Sequence, residues 1–378
     1  MDWIEDFLKG RRENSLLRSF RCVEERTDGR VTVDGQKLID FSSNDYLGLA
    51  QHPHLLEEGQ RMAERFGTSA SASRLMSGDL LIHHLLEEKV ASFKGKEKAL
   101  LFGSGYLANI GVIPAICGRD DIIFSDRANH ASIIDGALLS GSKLIRFRHN
   151  DLNHLQDLLA KERSSFKRAI IIVETIYSMD GDRPSLKELV ELKDRYKTML
   201  MVDEAHATGI FGEKGAGVVE EEGLNEEVDI IMGTFGKALG GYGAYVAASK
   251  VMITYLINTA RSFIYSTALS PSVTGSNLAA IELVEREPQR RRTLLENTQY
   301  FRNLLMKKGI ELKGSSQIVP VVIGGSEVAV ERARILEENG IFALPIRPPT
   351  VPRGEARIRF SLTYHHSQEI LKRVVEVL

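Results

Sequence analysis

Ala169-Ile170-Ile171-Ile172-Val173-Glu174 and, about a helix later, Met199-Leu200-Met201-Val202-Asp203-Glu204-Ala205-His206 are the stretches on which the fold turns. Each is a short apolar run that meets its first charged residue only at its end. Near-continuous runs of this kind suit strands buried on both faces, as in a parallel sheet covered by helices. The same pattern recurs at Ala99-Leu100-Leu101-Phe102, Asp121-Ile122-Ile123-Phe124, Lys143-Leu144-Ile145-Arg146-Phe147 and Asp229-Ile230-Ile231-Met232. Polar or glycine-bearing loops and helical periodicity separate the runs. An α/β domain with a mostly parallel sheet follows.

Outward from this region the grain changes. Residues 1–45 are charged and partly helical, with Leu16, Leu17 and Phe20 as an apolar patch, and read as an N-terminal arm leading into the strand Leu38-Ile39-Asp40-Phe41. Residues 46–280 form the large domain. Residues 281–378 read as a small α+β domain. It comprises a basic helix, the strand at 318–323, a helix ending at Asn339-Gly340, short strands at 342–344 and 357–360, and a last helix.

A chain of 378 residues, 43% hydrophobic and 26% charged, has the composition of a globular protein with more than one core. The formal net charge of −2 supplies no field for nucleic acid or an anionic membrane. Two cysteines, Cys22 and Cys117, cannot build a disulfide framework or a cysteine zinc site, so no metal is expected. The acidic N-terminus has no signal-peptide pattern, and no apolar run is long enough for a bilayer span. A cytoplasmic protein is the expectation.

In open parallel sheets ligands collect beyond the carboxyl ends of the strands. The runs are followed by Gly103-Ser104-Gly105-Tyr106, Ser125-Asp126-Arg127-Ala128-Asn129-His130, Glu174-Thr175-Ile176-Tyr177-Ser178, Asp203-Glu204-Ala205-His206 and Gly233-Thr234-Phe235-Gly236-Lys237. Singly, each has an ordinary structural explanation as a cap or a solvated loop residue. Jointly they suit an aromatic, phosphorylated, aldehyde-bearing cofactor, pyridoxal 5′-phosphate (PLP). Asp203 would keep the pyridine nitrogen protonated. Lys237, between Gly236 and Gly240-Gly241, would form the imine and move protons. Gly105 and Tyr106 open a helix whose free amides suit the phosphate, with Thr234 adding a hydroxyl. His130 would lie on the ring, and His206 and Ser178 would bond its phenolic oxygen.

Two motifs point elsewhere. Gly103-Ser104-Gly105-Tyr106-Leu107-Ala108 fits a dinucleotide fingerprint, with Asp126 about 20 residues on, as in an NAD-dependent dehydrogenase. That site leaves Lys237 and the Asp203/His206 pair without a task. Asp203-Glu204-Ala205-His206 also spells a helicase box, but the chain has no phosphate loop to go with it.

Asp203-Glu204-Ala205-His206-Ala207-Thr208-Gly209, Gly233-Thr234-Phe235-Gly236-Lys237-Ala238, Ser178-Met179-Asp180-Gly181-Asp182, Asn129-His130-Ala131-Ser132 and Asn44-Asp45-Tyr46-Leu47-Gly48-Leu49 together resemble motifs of the α-oxoamine synthases. These are PLP-dependent C-acyltransferases of fold type I, with the aspartate-aminotransferase-like architecture, and the resemblance covers nearly the full chain. Ile346-Arg347-Pro348-Pro349-Thr350-Val351-Pro352 is similar to the branch that serves biotin biosynthesis. The resemblance implies decarboxylative condensation of L-alanine with a pimeloyl thioester, carried on CoA or acyl carrier protein. The family's other branch, joining glycine to acetyl-CoA, is the alternative. It further implies Lys237, His130 and Asp203 as catalytic residues. Arg347 would clamp the amino-acid carboxylate, and Arg18, Asn44, His130 and Thr350 would contact substrate. Ser266 and Thr267 would reach the phosphate held by the partner subunit of a homodimer. Arg11, Arg12, Arg290, Arg291, Arg292, Lys307 and Lys308 could meet an acidic carrier, although helix-face charges are usually just solvated. The loop Thr68-Ser69-Ala70-Ser71-Ala72-Ser73-Arg74 departs from the family in lacking glycine, which narrows its backbone freedom.

Overall fold

The computed structural model describes residues 2–378. The chain forms two compact units. The larger comprises Leu49–Tyr177 and Arg183–Arg291; the smaller comprises residues 2–48, Ser178–Asp182 and Arg292–Leu378.

The larger unit is built on seven strands: β1 (Lys98–Phe102), β2 (Ile122–Asp126), β3 (Lys143–Phe147), β4 (Ala169–Glu174), β5 (Met199–Asp203), β6 (Ile230–Thr234) and β7 (Ala244–Ala248). Their order is β1-β7-β6-β5-β4-β2-β3. β7 runs antiparallel to both of its neighbours, and the other pairs are parallel. Every residue of β2, β4 and β7 is buried, as strands covered on both faces require. Alternate strand residues, among them Leu100, Ile123, Ile170, Ile172, Met201 and Met232, pack with Ala108, Val112, Ile113 and Ile133 from the helices Gly105–Ile116 and Ala131–Ser140. The expected mostly parallel α/β sheet is present. β7 is an addition, because Ala244-Tyr245-Val246-Ala247-Ala248 is too poor in β-branched residues to read as a strand.

Register decides what meets at the sheet edge. Glu174 lies opposite Asp203, and Asp203 opposite Met232. Phe102, closing β1, and Thr234, closing β6, both lie opposite Ala244. The loops after β1, β2, β4, β5 and β6 therefore leave from one edge.

The smaller unit holds two sheets. Strands Glu25–Thr27, Arg30–Val33 and Gln36–Asp40 form an antiparallel meander, and Ile341–Phe342 joins it in parallel. Ile318–Gly324, Ala356–Ser361 and Pro345–Ile346 form the other sheet. Residues 30–41 are thus part of a core, whereas the helix Asp2–Glu13 that precedes them buries no residue. Phe41 stacks on His366 with ring centroids 3.9 Å apart and meets Phe360 edge-on at 5.5 Å. Backbone bonds join Ile39 to Gly340, Phe41 to Phe342 and Ser361 to Phe41. The division differs from breaks at residues 45 and 280 because it is set by these non-local pairings. Ser178–Asp182 belongs here too: the Ser315 and Ser316 amides both donate to the Gly181 carbonyl at 3.1 Å. Among the described residues, no helix is long and apolar enough to cross a membrane.

The glycine-free loop at 68–74 carries one residue in the left-handed region, Ser71, with φ 59°. Its amide donates to the Ser69 hydroxyl oxygen at 3.0 Å, a bond that glycine would keep. Relief of a left-handed β-carbon, about 1–2 kcal/mol, outweighs glycine's extra freedom when unfolded, about 0.4–1 kcal/mol. Ser71→Gly is expected to stabilise the protein by roughly 0.5–1 kcal/mol, read as a higher urea midpoint at unchanged slope.

Candidate active site

At the end of β5 the Asp203 carboxylate is buried, and it is held by neutral donors: the Ala205 amide at 2.9 Å and Asn109 Nδ2 at 3.1 Å. Asn109, on the helix Gly105–Ile116, also donates to the Ser132 hydroxyl at 2.9 Å. Neutral donors orient the carboxylate and leave its charge for a cationic partner. Beside it, Glu174 accepts from the His130 amide at 2.5 Å. Burial pushes the Glu174 carboxyl up to about 8, and the charge on Asp203 adds to the rise. Near neutrality Glu174 is therefore largely protonated.

Lys237, in the loop after β6, is half-buried, and its Nζ is hydrogen-bonded to Nε2 of the buried His206 at 3.0 Å. The loop turns back tightly behind it. Gly240 has φ 62°, and a β-carbon there would lie 2.5 Å from the Ala50 amide nitrogen. Thr234 donates to the Gly243 carbonyl at 2.8 Å and accepts from the Gly236 amide at 3.1 Å, so its oxygen keeps only part of its capacity for a ligand.

His130 caps the helix Ala131–Ser140, its Nδ1 lying 2.8 Å from the Ser132 hydroxyl. The residue keeps an open face, but loss of water around the imidazole holds it below the ordinary histidine value; Lys237 adds to the fall and Asp203 opposes it. On the helix Gly105–Ile116, Ser104 caps by accepting from the Leu107 amide at 3.2 Å, and the first-turn amides of Gly105 and Tyr106 have no partner inside the helix. The Tyr106 hydroxyl donates to Asp135.

These residues fit PLP. One buried carboxyl would suit a ring cation, a lysine sits against an imidazole, and a glycine-lined helix start would suit a phosphate. They do not fit a dinucleotide. Asp126, which would have to receive the ribose, is fully buried and bonded to the Ala128 and Asn150 amides and to His149 Nδ1, at 2.7, 2.9 and 2.8 Å. Glu204 of the apparent helicase box is likewise buried, in an ion pair with Lys94.

Ser266 and the exposed Thr267 lie beyond the short helix Arg261–Ile264, where Thr267 bridges to Ser73.

The smaller unit holds the other expected contacts. Arg18, Arg347 and Thr350 line a cavity of about 1260 Å³. Arg18 Nη2 donates to Thr350 Oγ1 at 3.0 Å, and Arg347 donates to the Ser15 and Leu17 carbonyls. Burial, then the charges of Arg18 and Arg11, hold the Arg347 guanidinium below its usual value, so this patch favours an anion. Asn44 instead accepts from Arg359, at 3.2 and 3.3 Å, and from the Tyr46 hydroxyl at 3.1 Å. Arg359, from the strand Ala356–Ser361, also donates to the Ser178 carbonyl, so one buried guanidinium holds both Asn44 and Ser178.

The sequence over residues 36–378 matches the family described as aminotransferase class I and II. The chain is 48% identical over 381 residues to the 8-amino-7-oxononanoate synthase of Geotalea daltonii, spanning 100% of this chain and 97% of that protein. It is 47% identical over 370 residues to that of Geobacter sulfurreducens, spanning 97% and 94%. The chain belongs to the 8-amino-7-oxononanoate synthases, within the class I and II aminotransferases. Among solved structures it is similar to a serine palmitoyltransferase from S. paucimobilis with bound PLP–myriocin aldimine, at TM-score 0.94 and 27% identity over 100% of this chain and 96% of that one. It is also similar to the 8-amino-7-oxononanoate synthase of Francisella tularensis, at TM-score 0.79 and 30% identity over 90% and 96%.

Sequence reasoning passed over Glu174, Asn109 and Arg359. Glu174 closes β4 as Asp203 closes β5, and that shared position was the available signal. Asn109 lies inside a helix, and nothing local marks it. Arg290 and Arg291 also differ from a carrier-facing patch: Arg290 pairs with Glu287 at 2.6 Å, and the buried Arg291 donates to the Val284 carbonyl at 2.9 Å.

The raised Glu174 has a consequence for the apoprotein. Between its ordinary value of 4.5 and about 8, the native chain keeps a proton that the unfolded chain has released. This group's contribution to stability therefore falls as pH rises through that window, by at most ~1.4 kcal/mol per pH unit. Glu174→Gln should flatten the slope in chemical denaturation at a series of pH values.

Proposed function

We propose that this enzyme joins L-alanine to a pimeloyl thioester with loss of CO₂ and release of the carrier, CoA or acyl carrier protein, in biotin biosynthesis. The observation that carries the reading is the edge of the larger sheet, where the buried Asp203 carboxyl is oriented by neutral donors while Lys237 sits on His206. PLP, when bound, supplies an electron sink for charge developing at the amino-acid α-carbon. Asp203 holds the proton on its ring nitrogen through a buried, charge-assisted contact. Lys237 is the residue to which the cofactor is joined and, once freed, the base that takes the α-proton. His206 aims Lys237, and with Ser178 it serves the phenolic oxygen. His130 covers the ring face, presented by Glu174 and Ser132. Gly105, Tyr106 and Thr234 receive the phosphate. Ser266 and Thr267 do the same for a second copy in a homodimer. The scarcity of cysteines supports a reducing compartment, the cytoplasm.

For substrate anions the smaller unit offers two arginine sets. Arg18, Arg347 and Thr350 form the more open one. Arg347, held only by backbone carbonyls, clamps the α-carboxylate, and Arg359, whose partners are likewise neutral, is a second candidate, because a guanidinium fork matches a carboxylate in two bonds. Purified protein reconstituted with PLP should release CO₂ and form the amino ketone from alanine with pimeloyl-CoA or pimeloyl-acyl carrier protein. Turnover confined to glycine with acetyl-CoA would overturn this substrate assignment in favour of the other branch.

A further inference from the structure

Lys94, the last residue of the helix Leu81–Lys94, is 1% exposed and lies 110 positions before Glu204. Its Nζ donates to Glu204 Oε2 at 2.7 Å, to Thr208 Oγ1 at 3.0 Å and to the Ala216 carbonyl, so all three ammonium protons are used. Glu204 is 0% exposed, and its other oxygen accepts from the Val219 amide at 2.9 Å. Thr208 in turn meets the hydroxyl of Tyr245, from β7, at 2.9 Å. Gly217, at φ 128°, packs so closely on the Glu204 carboxylate that any side chain there would overlap it.

Glu204 directly follows Asp203 and is two residues from His206. Its amide donates to Met232 of β6, and its carbonyl accepts from the Ala207 and Thr208 amides, at 2.8, 2.9 and 2.9 Å. The segment that carries both the ring-facing carboxylate and the imidazole on Lys237 is therefore clamped through one side chain. A buried ion pair is a poor source of net stability, because desolvation offsets its attraction, but it tolerates few geometries. We propose that Lys94 is a positioning residue, fixing through Glu204 the orientation of Asp203 and His206 and so the cofactor environment at Lys237. This rests on the assignment of Asp203 and Lys237 as cofactor-holding residues.

The test uses the PLP-loaded enzyme with Lys94→Met, Glu204→Gln and the double variant, which replaces both charges with neutral groups of similar length. Each folded variant should lose kcat by up to about 100-fold with KM for both substrates little changed. The pH midpoint of the visible PLP band should also move. The double variant should recover thermal stability relative to Lys94→Met without recovering kcat. If Lys94→Met does not fold, the double variant alone decides. Wild-type kcat and an unmoved band midpoint in a folded charge-free variant would overturn the proposal and leave the pair a packing feature. Absence of any PLP-dependent band in the unaltered protein would overturn the assignment of Lys237, and the proposal with it.

Discussion

Lys237→Ala should abolish turnover with alanine and a pimeloyl thioester, by at least about 10³-fold, in a protein that still folds. The fold survives because backbone bonds hold the loop: Phe235 to Gly243, Gly240 to Lys237 and Gly241 to Phe235, at 3.0, 2.9 and 2.9 Å. None of them uses the lysine side chain. The chemistry fails because the variant lacks the amine held on His206 at 3.0 Å. Lys94 is buried, but all of its protons are committed to Glu204, Thr208 and Ala216. The measurements are absorption spectra before and after PLP, with and without borohydride, beside circular dichroism. A yellow, borohydride-sensitive band in the alanine variant would mean that another group holds the cofactor.

Asp203→Asn should bind PLP and lose on the order of 10²–10³-fold in kcat. The asparagine oxygen can still accept from Asn109 or from the Ala205 amide, so the local structure keeps one of the two bonds. What disappears is the anion that keeps the ring nitrogen protonated. Glu174 is a poor substitute for it, since burial, the larger cause of its raised value, remains when the charge on Asp203 is gone. Turnover within a few-fold of the unaltered enzyme would remove Asp203 from the assigned role. The combined Asp203→Asn, Glu174→Gln variant should behave like the single one.

Much of the site was legible because chemistry sits where strands stop. In a parallel sheet one edge receives every carboxyl end, so residues scattered from Gly105 to Lys237 could be assembled without coordinates. The same logic contained Glu174, but a carboxylate after an apolar run says nothing about its protonation. That depends on Asp203 lying in register beside it. Arg357 and Arg359 were hidden for another reason. On a strand written Ala356-Arg357-Ile358-Arg359-Phe360 the arginines look like the wet face, yet both are buried. Arg357 meets Asp180 and Glu355, and Arg359 meets Asn44 and Ser178.

By itself the sequence determined the α/β class and the order of the larger unit's parallel strands along the chain, and it pointed to the sheet edge at which we propose that Lys237, Asp203, His130 and His206 serve PLP. These follow from local facts: burial pattern, strand length and the residue at each strand end. The tertiary structure decided the rest. It inserted β7 between β1 and β6, joined residues 2–48 to the C-terminal sheets, and raised the Glu174 carboxyl beside Asp203. It also closed Lys94 on Glu204. Each of these depends on two segments far apart in the chain meeting at hydrogen-bond distance. No single segment records its partner, because desolvation and pairing energies exist only when both are in place.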